Sequence, residues 1–222
     1  MTLVIAAPGS DFVVLGADSR ITIEDAAGMS VVINVGQKLV PVTKHVAILL
    51  FGDADEGTCL VEKFKLNLAE DVDGVSDVAE RLANFCRDEF KKLEHVPLTR
   101  LPNFGFIVAG LDPTDNDYKI PRCYRLKSAC GFIVGLAKPY AIDGRPFIAY
   151  YLFEKHFREK KTVDDLCQFV AQTIYDSEAI DGAVGGAIKM GIVRTSGFSE
   201  VTPEEMRGYI VSWVPSNING VR

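Results

Sequence analysis

The spacing of apolar residues changes along the chain and predicts groups of strands that alternate with pairs of helices. Apolar and β-branched residues run together over 2–8 and 12–20, on either side of a Pro-Gly-Ser-Asp turn, which predicts a tight β-hairpin. Residues 38–42 and 46–51 have the same character and predict a second strand pair. The intervening residues 21–36 are predicted to form a loop with an irregular extended piece.

Beyond residue 53 the apolar residues recur three or four positions apart, which is typical of amphipathic helices. Ser76 and Thr162 are candidate N-caps for two of these helices. Two helical pairs and two sets of strands predict sheets packed on each other with helices outside both. In chain order, the further predicted elements are helices over 54–70 and 75–94, strands over 104–110 and in two runs within 119–135, helices over 145–159 and 163–179, and strands over 185–194 and 207–213.

Composition and charge narrow the class of protein. The 222 residues, of which 48% are hydrophobic, are enough for a sizeable core, and no repeat or low-complexity linker divides them. We therefore expect a single domain over 1–222. The net charge of −6 disfavours nucleic-acid binding, which needs a basic surface. Neither a secretory signal nor an apolar run of about 18 residues is visible, so we expect a soluble, cytoplasmic protein without a membrane segment.

The cysteines and histidines indicate neither a disulfide framework nor a metal site. The five cysteines are odd in number and form no C-x-x-C pair, so we expect them to be buried and reduced. The histidines have no metal-ligand spacing and stand beside charged residues, which favours solvated surface positions. These residues are Cys59, Cys86, Cys123, Cys130 and Cys167, and His45, His95 and His156.

The amino-terminal hairpin brings an acid back to the start of the chain. Thr2 and Asp18 lie at its open end, so the Asp18 carboxylate returns beside the amino terminus. If Met1 is removed, Thr2 has a hydroxyl and an α-amine, and such an amine, with a pKa of about 8, can serve as the base for that hydroxyl. The ordinary alternatives are that Thr2 only starts a strand and that Asp18 belongs to a solvated turn.

Two further residues fit the same chemistry. Lys38 opens a strand and, if it lies beside Asp18 and Thr2, would pair with the acid and bias nearby proton positions. Gly52 stands where a strand passes into a helix, and its backbone N–H could stabilise an oxyanion. A solvated edge lysine and a helix-entry glycine are the alternatives for these positions.

An ordered set of short stretches spans the chain, namely Thr2, Ala17-Asp18-Ser19-Arg20, Lys38, Phe51-Gly52-Asp53-Ala54-Asp55, 107–112 and 181–186. Together they resemble the β-type proteasome subunits, a family of N-terminal-nucleophile (Ntn) hydrolases. The resemblance implies an α+β fold in which four layers form an αββα sandwich. The loop between Arg20 and Lys38 is several residues longer than is usual in that family.

The resemblance implies a catalytic role for each matching residue. Thr2 is the nucleophile and, through its amine, the base. Asp18 and Lys38 form the pair that tunes it, and the Gly52 N–H stabilises the oxyanion. Asp181 belongs to the outer support of the site. No cofactor is implied.

The implied substrate contacts surround this centre. Thr22 and Ala54 fall where the family's backbone pairs with an extended substrate, which is a form of strand addition. Ile21, Val40 and Leu50 would line the first specificity pocket. An apolar lining favours a hydrophobic side chain before the scissile bond.

Two positions depart from the family's pattern. The family has serines near the amine, and here those positions are Gly144 and Val184, whose side chains form no hydrogen bonds. Water or Ser19 would have to complete the proton network. The departure would slow catalysis or mark a subunit that has lost it, whereas the retained nucleophile, acid and lysine favour activity.

The sequence therefore predicts a threonine endopeptidase that hydrolyses peptides or unfolded proteins. The resemblance implies that it works inside a ring of identical or related subunits, with an ATP-dependent unfoldase as a candidate partner. A catalytically inactive ring subunit, an Ntn amidase acting on a small amide and a plain binding module are the alternatives.

Overall fold

Strands and helices follow each other in groups along the chain. The structure, a computed structural model, describes residues 2–24, 30–69, 72, 74–93, 101–114, 118–157 and 162–211. In chain order, the elements are β1 (Leu3–Pro8), β2 (Val13–Ala17), β3 (Ile21–Glu24), β4 (Ser30–Ile33), β5 (Leu39–Thr43), β6 (Val46–Gly52), α1 (Ala54–Leu66), α2 (Gly74–Lys91), β7 (Phe104–Pro113), β8 (Tyr118–Lys127), β9 (Gly135–Ala137), β10 (Ala141–Gly144), α3 (Phe147–His156), α4 (Val163–Ile180), β11 (Lys189–Arg194), β12 (Gly197–Glu200) and α5 (Pro203–Val211).

Ten of the strands form two antiparallel five-stranded sheets. The first sheet has the order β10-β1-β2-β11-β12, and the second has the order β5-β6-β7-β8-β9. The predicted hairpin is formed by β1 and β2, in which Val4 pairs with Ala17. The pairing continues past the end of β2, because the Asp18 N–H donates to the Leu3 carbonyl at 3.2 Å. The first residues of the chain are therefore fixed inside a sheet.

The stretch 21–36 is more regular than the sequence predicted. β3 and β4 form a separate two-stranded antiparallel sheet in which Ile21 pairs with Ile33. On β4, Val31 and Val32 are both exposed although they point to opposite faces. This strand therefore has no alternation of apolar and polar residues, and the periodicity that usually reveals a strand is missing.

Three apolar clusters determine how the elements pack. One cluster joins side chains of β1, β2, β10 and β11 to those of α3, α4 and α5. A second cluster joins β5, β6, β7 and β8 to α1 and α2. The third contains side chains of both five-stranded sheets, such as Val4 and Leu15 from one and Leu49 and Ile107 from the other. Alternate residues of one strand enter different clusters, as the pleat of a strand requires.

Helix boundaries follow capping chemistry. The Asp165 N–H donates to the Thr162 hydroxyl, and the Thr162 N–H donates to the Asp165 carboxylate, so the predicted N-cap of α4 is confirmed. Ser76 is not the N-cap of α2, because it lies within the helix. Its N–H donates to the carboxylate of Asp112 on β7, which satisfies a donor of the first turn.

The predicted strand over 207–213 is wrong for the part of that range that the structure describes, because Pro203–Val211 is helix α5. The helix starts with a second capping box. The Thr202 N–H donates to the Glu205 carboxylate at 2.8 Å, and the Glu205 N–H donates to the Thr202 hydroxyl at 3.3 Å. Pro203 suits the first helical position, so this local signal outweighs the apolar run that follows.

The prediction that every cysteine is buried is also wrong. Cys59 and Cys130 are exposed, whereas Cys86, Cys123 and Cys167 are buried, and all five are free thiols. Cys59 lies on the solvent side of α1, where an amphipathic pattern includes positions outside the buried stripe.

The predicted surface position of His45 is wrong. Only 8% of this residue is exposed, and its Nε2 lies 3.0 Å from the Thr195 carbonyl. The turn between β5 and β6 packs against the turn between β11 and β12, where the Phe198 N–H also donates to the Lys44 carbonyl. His156 is partly exposed, and His95 lies outside the described residues. Among the helices that the structure describes, none is long and apolar enough to cross a membrane.

Candidate active site

A buried carboxylate organises the end of the amino-terminal hairpin. Asp18 follows β2 and has no exposed surface. Its Oδ1 accepts the Leu3 N–H at 2.8 Å and a hydrogen bond from Lys38 Nζ at 2.7 Å. Its Oδ2 accepts the Gly185 N–H at 3.0 Å. Because three donors share the two oxygens, the carboxylate group is held in one orientation.

Lys38 is buried opposite this acid. It immediately precedes β5, and only 3% of its surface is exposed. Besides Asp18, its Nζ donates to the Arg20 carbonyl at 2.5 Å. Burial lowers the pKa of Lys38, and the neighbouring Asp18 carboxylate opposes that change without cancelling it. The ammonium therefore gives up its proton more readily than a lysine in water.

A small cavity brings Lys38 and Thr2 together. Its volume is about 40 Å³. Five residues predicted from the sequence line it, namely Thr2, Ile21, Lys38, Leu50 and Gly52. The remaining lining residues are Gln37, Phe51, Asp55 and Thr58. Thr2, Lys38 and the strand end at Gly52 therefore border the same space. A hydroxyl, a cation and a backbone N–H are groups that acyl transfer can use.

Two glycines with positive φ allow close backbone approaches beside Thr2 and at the edge of the cavity. Gly144 has φ +90°, and a Cβ there would come within 2.0 Å of the Thr2 carbonyl oxygen. The next residue, Arg145, donates its N–H to that oxygen at 2.7 Å. Gly52 has φ +88°, and a Cβ there would come within 2.3 Å of the Asn103 carbonyl. Neither close approach would accommodate another residue type without backbone strain.

The chain matches the model of the proteasome subunit family over residues 2–193. It belongs to the proteasome subunit family. Among curated proteins it is similar to the proteasome subunit beta of Thermoplasma acidophilum, with 22% identity over 203 residues that cover 90% of this chain and 89% of that protein. The family predicted from the sequence is therefore confirmed, and Ntn hydrolases are the fold class that this family implies.

Other residues that the proteasome resemblance singled out lie around the cavity without being among its lining residues. Ser19 is buried, and its hydroxyl donates to the Asn34 carbonyl at 3.1 Å. Asp181 accepts the Ala183 N–H on Oδ1, and its Oδ2 lies 3.6 Å from Arg145 Nε. Asp181 is therefore linked to Thr2 through Arg145, whose backbone N–H donates to the Thr2 carbonyl.

The three remaining predicted substrate residues occupy different elements. Thr22 pairs with Val32 in the β3–β4 sheet. Val40 is buried in the cluster that packs α1 and α2 on the second sheet. Ala54 is the first residue of α1.

At the two positions where the sequence departs from the proteasome family's serines, Gly144 and Val184 provide no hydroxyl. The Val184 side chain is buried in the cluster beneath α4. Its carbonyl accepts a hydrogen bond from the Arg20 guanidinium at 2.8 Å, and the Gly182 carbonyl accepts another at 2.7 Å. Arg20 thus holds the loop that presents the Gly185 N–H to Asp18.

Sequence reasoning missed three polar residues of the cavity, Gln37, Asp55 and Thr58. Gln37 adjoins Lys38, while Asp55 and Thr58 stand three positions apart on α1, on one face of the helix. The three-residue spacing of these two polar residues, shortly after Gly52, was the sequence signal that could have indicated them. In the described part of the chain, no three His, Cys, Asp or Glu side chains gather as metal ligands.

Proposed function

We propose that this chain is a β-type proteasome subunit with threonine peptidase activity. Thr2 becomes the nucleophile once the peptide bond between Met1 and Thr2 has been cut. The substrates are peptides and unfolded proteins, and the bond that is hydrolysed is the peptide bond.

One observation carries the proposal: the buried Asp18–Lys38 pair borders the cavity that Thr2 lines. Burying two charges costs free energy that their mutual attraction recovers only in part, so such a pair is weak evidence of a stabilising role. A cation near the Thr2 amine favours the neutral form of that amine, which is the form that accepts a proton. The pair therefore suits the chemistry of an N-terminal nucleophile.

In the proposed reaction, the neutral α-amine takes the proton of the Thr2 hydroxyl, and the oxygen attacks the substrate carbonyl carbon. The Gly52 N–H stabilises the oxyanion. Collapse of this intermediate breaks the C–N bond, and the proton passes from the Thr2 ammonium to the leaving amine. Water then hydrolyses the acyl ester and restores Thr2.

The layer order and the assembly belong to the same proposal. Helices α1 and α2, the two sheets, and helices α3 to α5 stack as a four-layer αββα sandwich in one domain, which the three apolar clusters support. Membership of the proteasome family supports a ring of identical or related subunits. An ATP-dependent unfoldase is the partner class that such a ring needs for folded proteins, and the free thiols suit a reducing cytoplasm.

The decisive test is covalent labelling with a peptide epoxyketone, whose ring-forming reaction needs a hydroxyl and a free α-amine on one residue. After the purified assembly is incubated with the reagent, mass analysis should locate one adduct on the peptide that begins with Thr2. Thr2→Ala should abolish the adduct, and Thr2→Ser should retain it. Thr114→Ala, the same kind of substitution at an exposed position after β7, is the matched control.

A second candidate function is a structural ring subunit without activity. The absence of hydroxyls at Gly144 and Val184, together with the Ser19–Asn34 hydrogen bond, favours it. An assembly of ring size by light scattering, with a free Thr2 terminus but no adduct, would establish this candidate and exclude the peptidase.

A further inference from the structure

A second acidic residue lies close to Thr2 without touching the cavity. Asp143 is on β10, the edge strand that pairs with β1, and only 9% of it is exposed. Its Oδ2 forms an ion pair with Arg125 Nε at 2.9 Å, and its Oδ1 accepts a hydrogen bond from Lys127 Nζ at 3.0 Å. The Gly144 N–H also donates to Oδ1 at 3.1 Å. We call Asp143, Arg125 and Lys127 the Asp143 cluster.

The two cations of the Asp143 cluster come from the facing sheet. Arg125 and Lys127 are on β8, whereas Asp143 is on β10 of the first sheet. Arg125 also donates to the Ile142 carbonyl at 3.0 Å. Lys127 Nζ lies 5.4 Å from the centroid of the Phe51 ring, which lines the Thr2 cavity. The cluster therefore joins the two sheets beside the candidate active site.

The Asp143 cluster is connected to the backbone of Thr2 through the next two residues, Gly144 and Arg145. Leu3 pairs with Gly144 at the end of β10, and the Arg145 N–H holds the Thr2 carbonyl at 2.7 Å. Gly144 stands where the family has a serine, so no side-chain hydroxyl supports the nucleophile from this turn. The carboxylate one position earlier accepts the Gly144 N–H, and the two cations hold that carboxylate.

We propose that Asp143 is a positioning residue for Thr2, which it holds through the Gly144–Arg145 turn while Arg125 and Lys127 anchor its carboxylate. The inference rests on the proposed function, because it assigns Asp143 a part in that reaction. Asp143 does not contact the reacting atoms, so its loss should change the rate at which bound substrate reacts and leave substrate affinity nearly unchanged. A displacement of about 1 Å at a reacting group can lower a rate by roughly 100-fold.

The chain offers a matched control for Asp143. Asp112, on β7, is buried to the same degree, with 11% of its side chain exposed against 12% for Asp143. It also pairs with an arginine of β8, since Arg122 Nε lies 3.2 Å from its Oδ2. Its hydrogen bonds go to Ser76 on α2 rather than to the turn at Thr2. Both substitutions to Asn should lower stability, and only one should lower reactivity.

The experiment measures epoxyketone labelling of Thr2 in the intact assembly for wild type, Asp143→Asn and Asp112→Asn. We expect the saturating rate of Asp143→Asn to fall at least about 10-fold, with the half-saturating concentration within about 2-fold of wild type. Asp112→Asn should label at the wild-type rate although its thermal midpoint falls. Equal labelling rates for all three proteins would overturn the inference, and so would equal losses in both variants.

Lys127→Met keeps the inference testable if Asp143→Asn assembles poorly, because it removes a cation that anchors the carboxylate and leaves Asp143 in place. Lys127→Met should slow labelling in the same direction as Asp143→Asn. Where both single variants assemble, the double variant should lose less than the product of the two single losses, because the residues act through one another. A wild-type labelling rate in Lys127→Met, or losses that multiply, would overturn the inference. If wild type itself carries no adduct on Thr2, the proposed function fails, whereas labelled wild type with unaffected variants refutes only the role of Asp143.

Discussion

Two carboxylate–cation pairs lie near opposite ends of the second sheet and differ in how they meet water. Asp18 and Lys38, at the Gly52 end of β6, have 0% and 3% of their side chains exposed. Asp112 and Arg122, toward the end of β7 that pairs with Val46, have 11% and 40% exposed. The hydrogen bonds differ too, because Asp112 completes the first turn of α2, whereas Asp18 binds the backbone beside Thr2.

Residue type alone does not assign a role to an ion pair. Asp112 is buried, but its partner Arg122 is 40% exposed, so water screens this pair more than it screens Asp18 and Lys38. The Asp112 carboxylate also accepts hydrogen bonds at a helix N-terminus, so local structure accounts for it. The Asp18 pair is sealed from water, and such burial is rarely repaid in stability. Under the proposed function, the place of this pair beside the cavity that Thr2 lines accounts for it where stability does not.

Removing the cation of each pair should give the largest difference between the Asp18 pair and the Asp112 pair, in labelling rate and in stability. Under the proposed function, Lys38→Met should lower the Thr2 labelling rate by at least about 100-fold, because Thr2 loses the neighbouring charge. It should also lower the free energy of unfolding by roughly 3–5 kcal/mol, since Asp18 stays buried without its ion-pair partner. Arg122→Met should cost about 1 kcal/mol or less and leave labelling unchanged. Labelling kinetics measure the rates, and urea unfolding measures the free energies. Similar losses in Lys38→Met and Arg122→Met would contradict the proposed difference between the two ion pairs.

Replacing a glycine whose backbone packs against Thr2 should have the next largest effect on labelling. In Gly144→Ala the new Cβ meets the Thr2 carbonyl at 2.0 Å, so labelling should fall about 10-fold to 100-fold as the backbone shifts. Gly131→Ala is the matched control, because Gly131 has φ +60° but no atom within 4 Å of its Cβ position. Both variants should lose about 1 kcal/mol from the left-handed backbone, yet only the first should react slowly. Labelling that is equally fast in both would show that the turn does not hold Thr2 for reaction.

At the Asp112 end, a side-chain deletion should affect stability alone. The Ser76 hydroxyl donates to the Asp112 carboxylate, so Ser76→Ala should lower the free energy of unfolding by about 1–2 kcal/mol. Thr2 labelling should stay at the wild-type rate. Ser10→Ala removes a hydroxyl from an exposed turn and serves as the control for both measurements. A slower labelling rate in Ser76→Ala would mean that the two ends are coupled.

The smallest effect is expected from the cysteines, which report on the packing of the helices and strands that carry them. Burial raises the pKa of Cys86 and of Cys167 to about 12, so neither forms much thiolate at pH 8. Iodoacetamide at that pH should modify Cys59 and Cys130 in the native protein, and all five thiols after unfolding. Peptide mass mapping distinguishes these patterns. Modification of Cys86 or Cys167 in the native protein would contradict the described packing.

The hairpin and its acid could be predicted from the sequence because they are local. A turn near residues 8–11 between two apolar runs brings Asp18 back toward Thr2 with no further information. The contact of Lys38 with that acid spans 20 positions. From the residues alone the pairing was conditional on Lys38 lying beside Asp18, and the family resemblance then supported it. Helix α5 was missed because the apolar residues after Arg207 suggested a strand, although Thr202 and Glu205 form a capping box.

The contacts of the Asp143 cluster could not be predicted from the local sequence pattern. β10 has four residues, too few for a clear alternation, and its edge position depends on pairing with β1, which starts more than a hundred residues earlier. Arg125 and Lys127 alternate along β8 with Tyr124 and Leu126, so their common face was visible in the sequence. Which acid they meet depends on how the two sheets are stacked.

The hydrogen bonds of Asp18 also determine when the site can form during synthesis and folding. Its donors stand 15, 20 and 167 positions away along the chain, and the last of them emerges late from the ribosome. Long-range closure of this kind is among the slow steps of folding. Under the proposed function, a nascent or half-folded polypeptide lacks its reactive centre, and cleavage begins only after the carboxy-terminal third has docked.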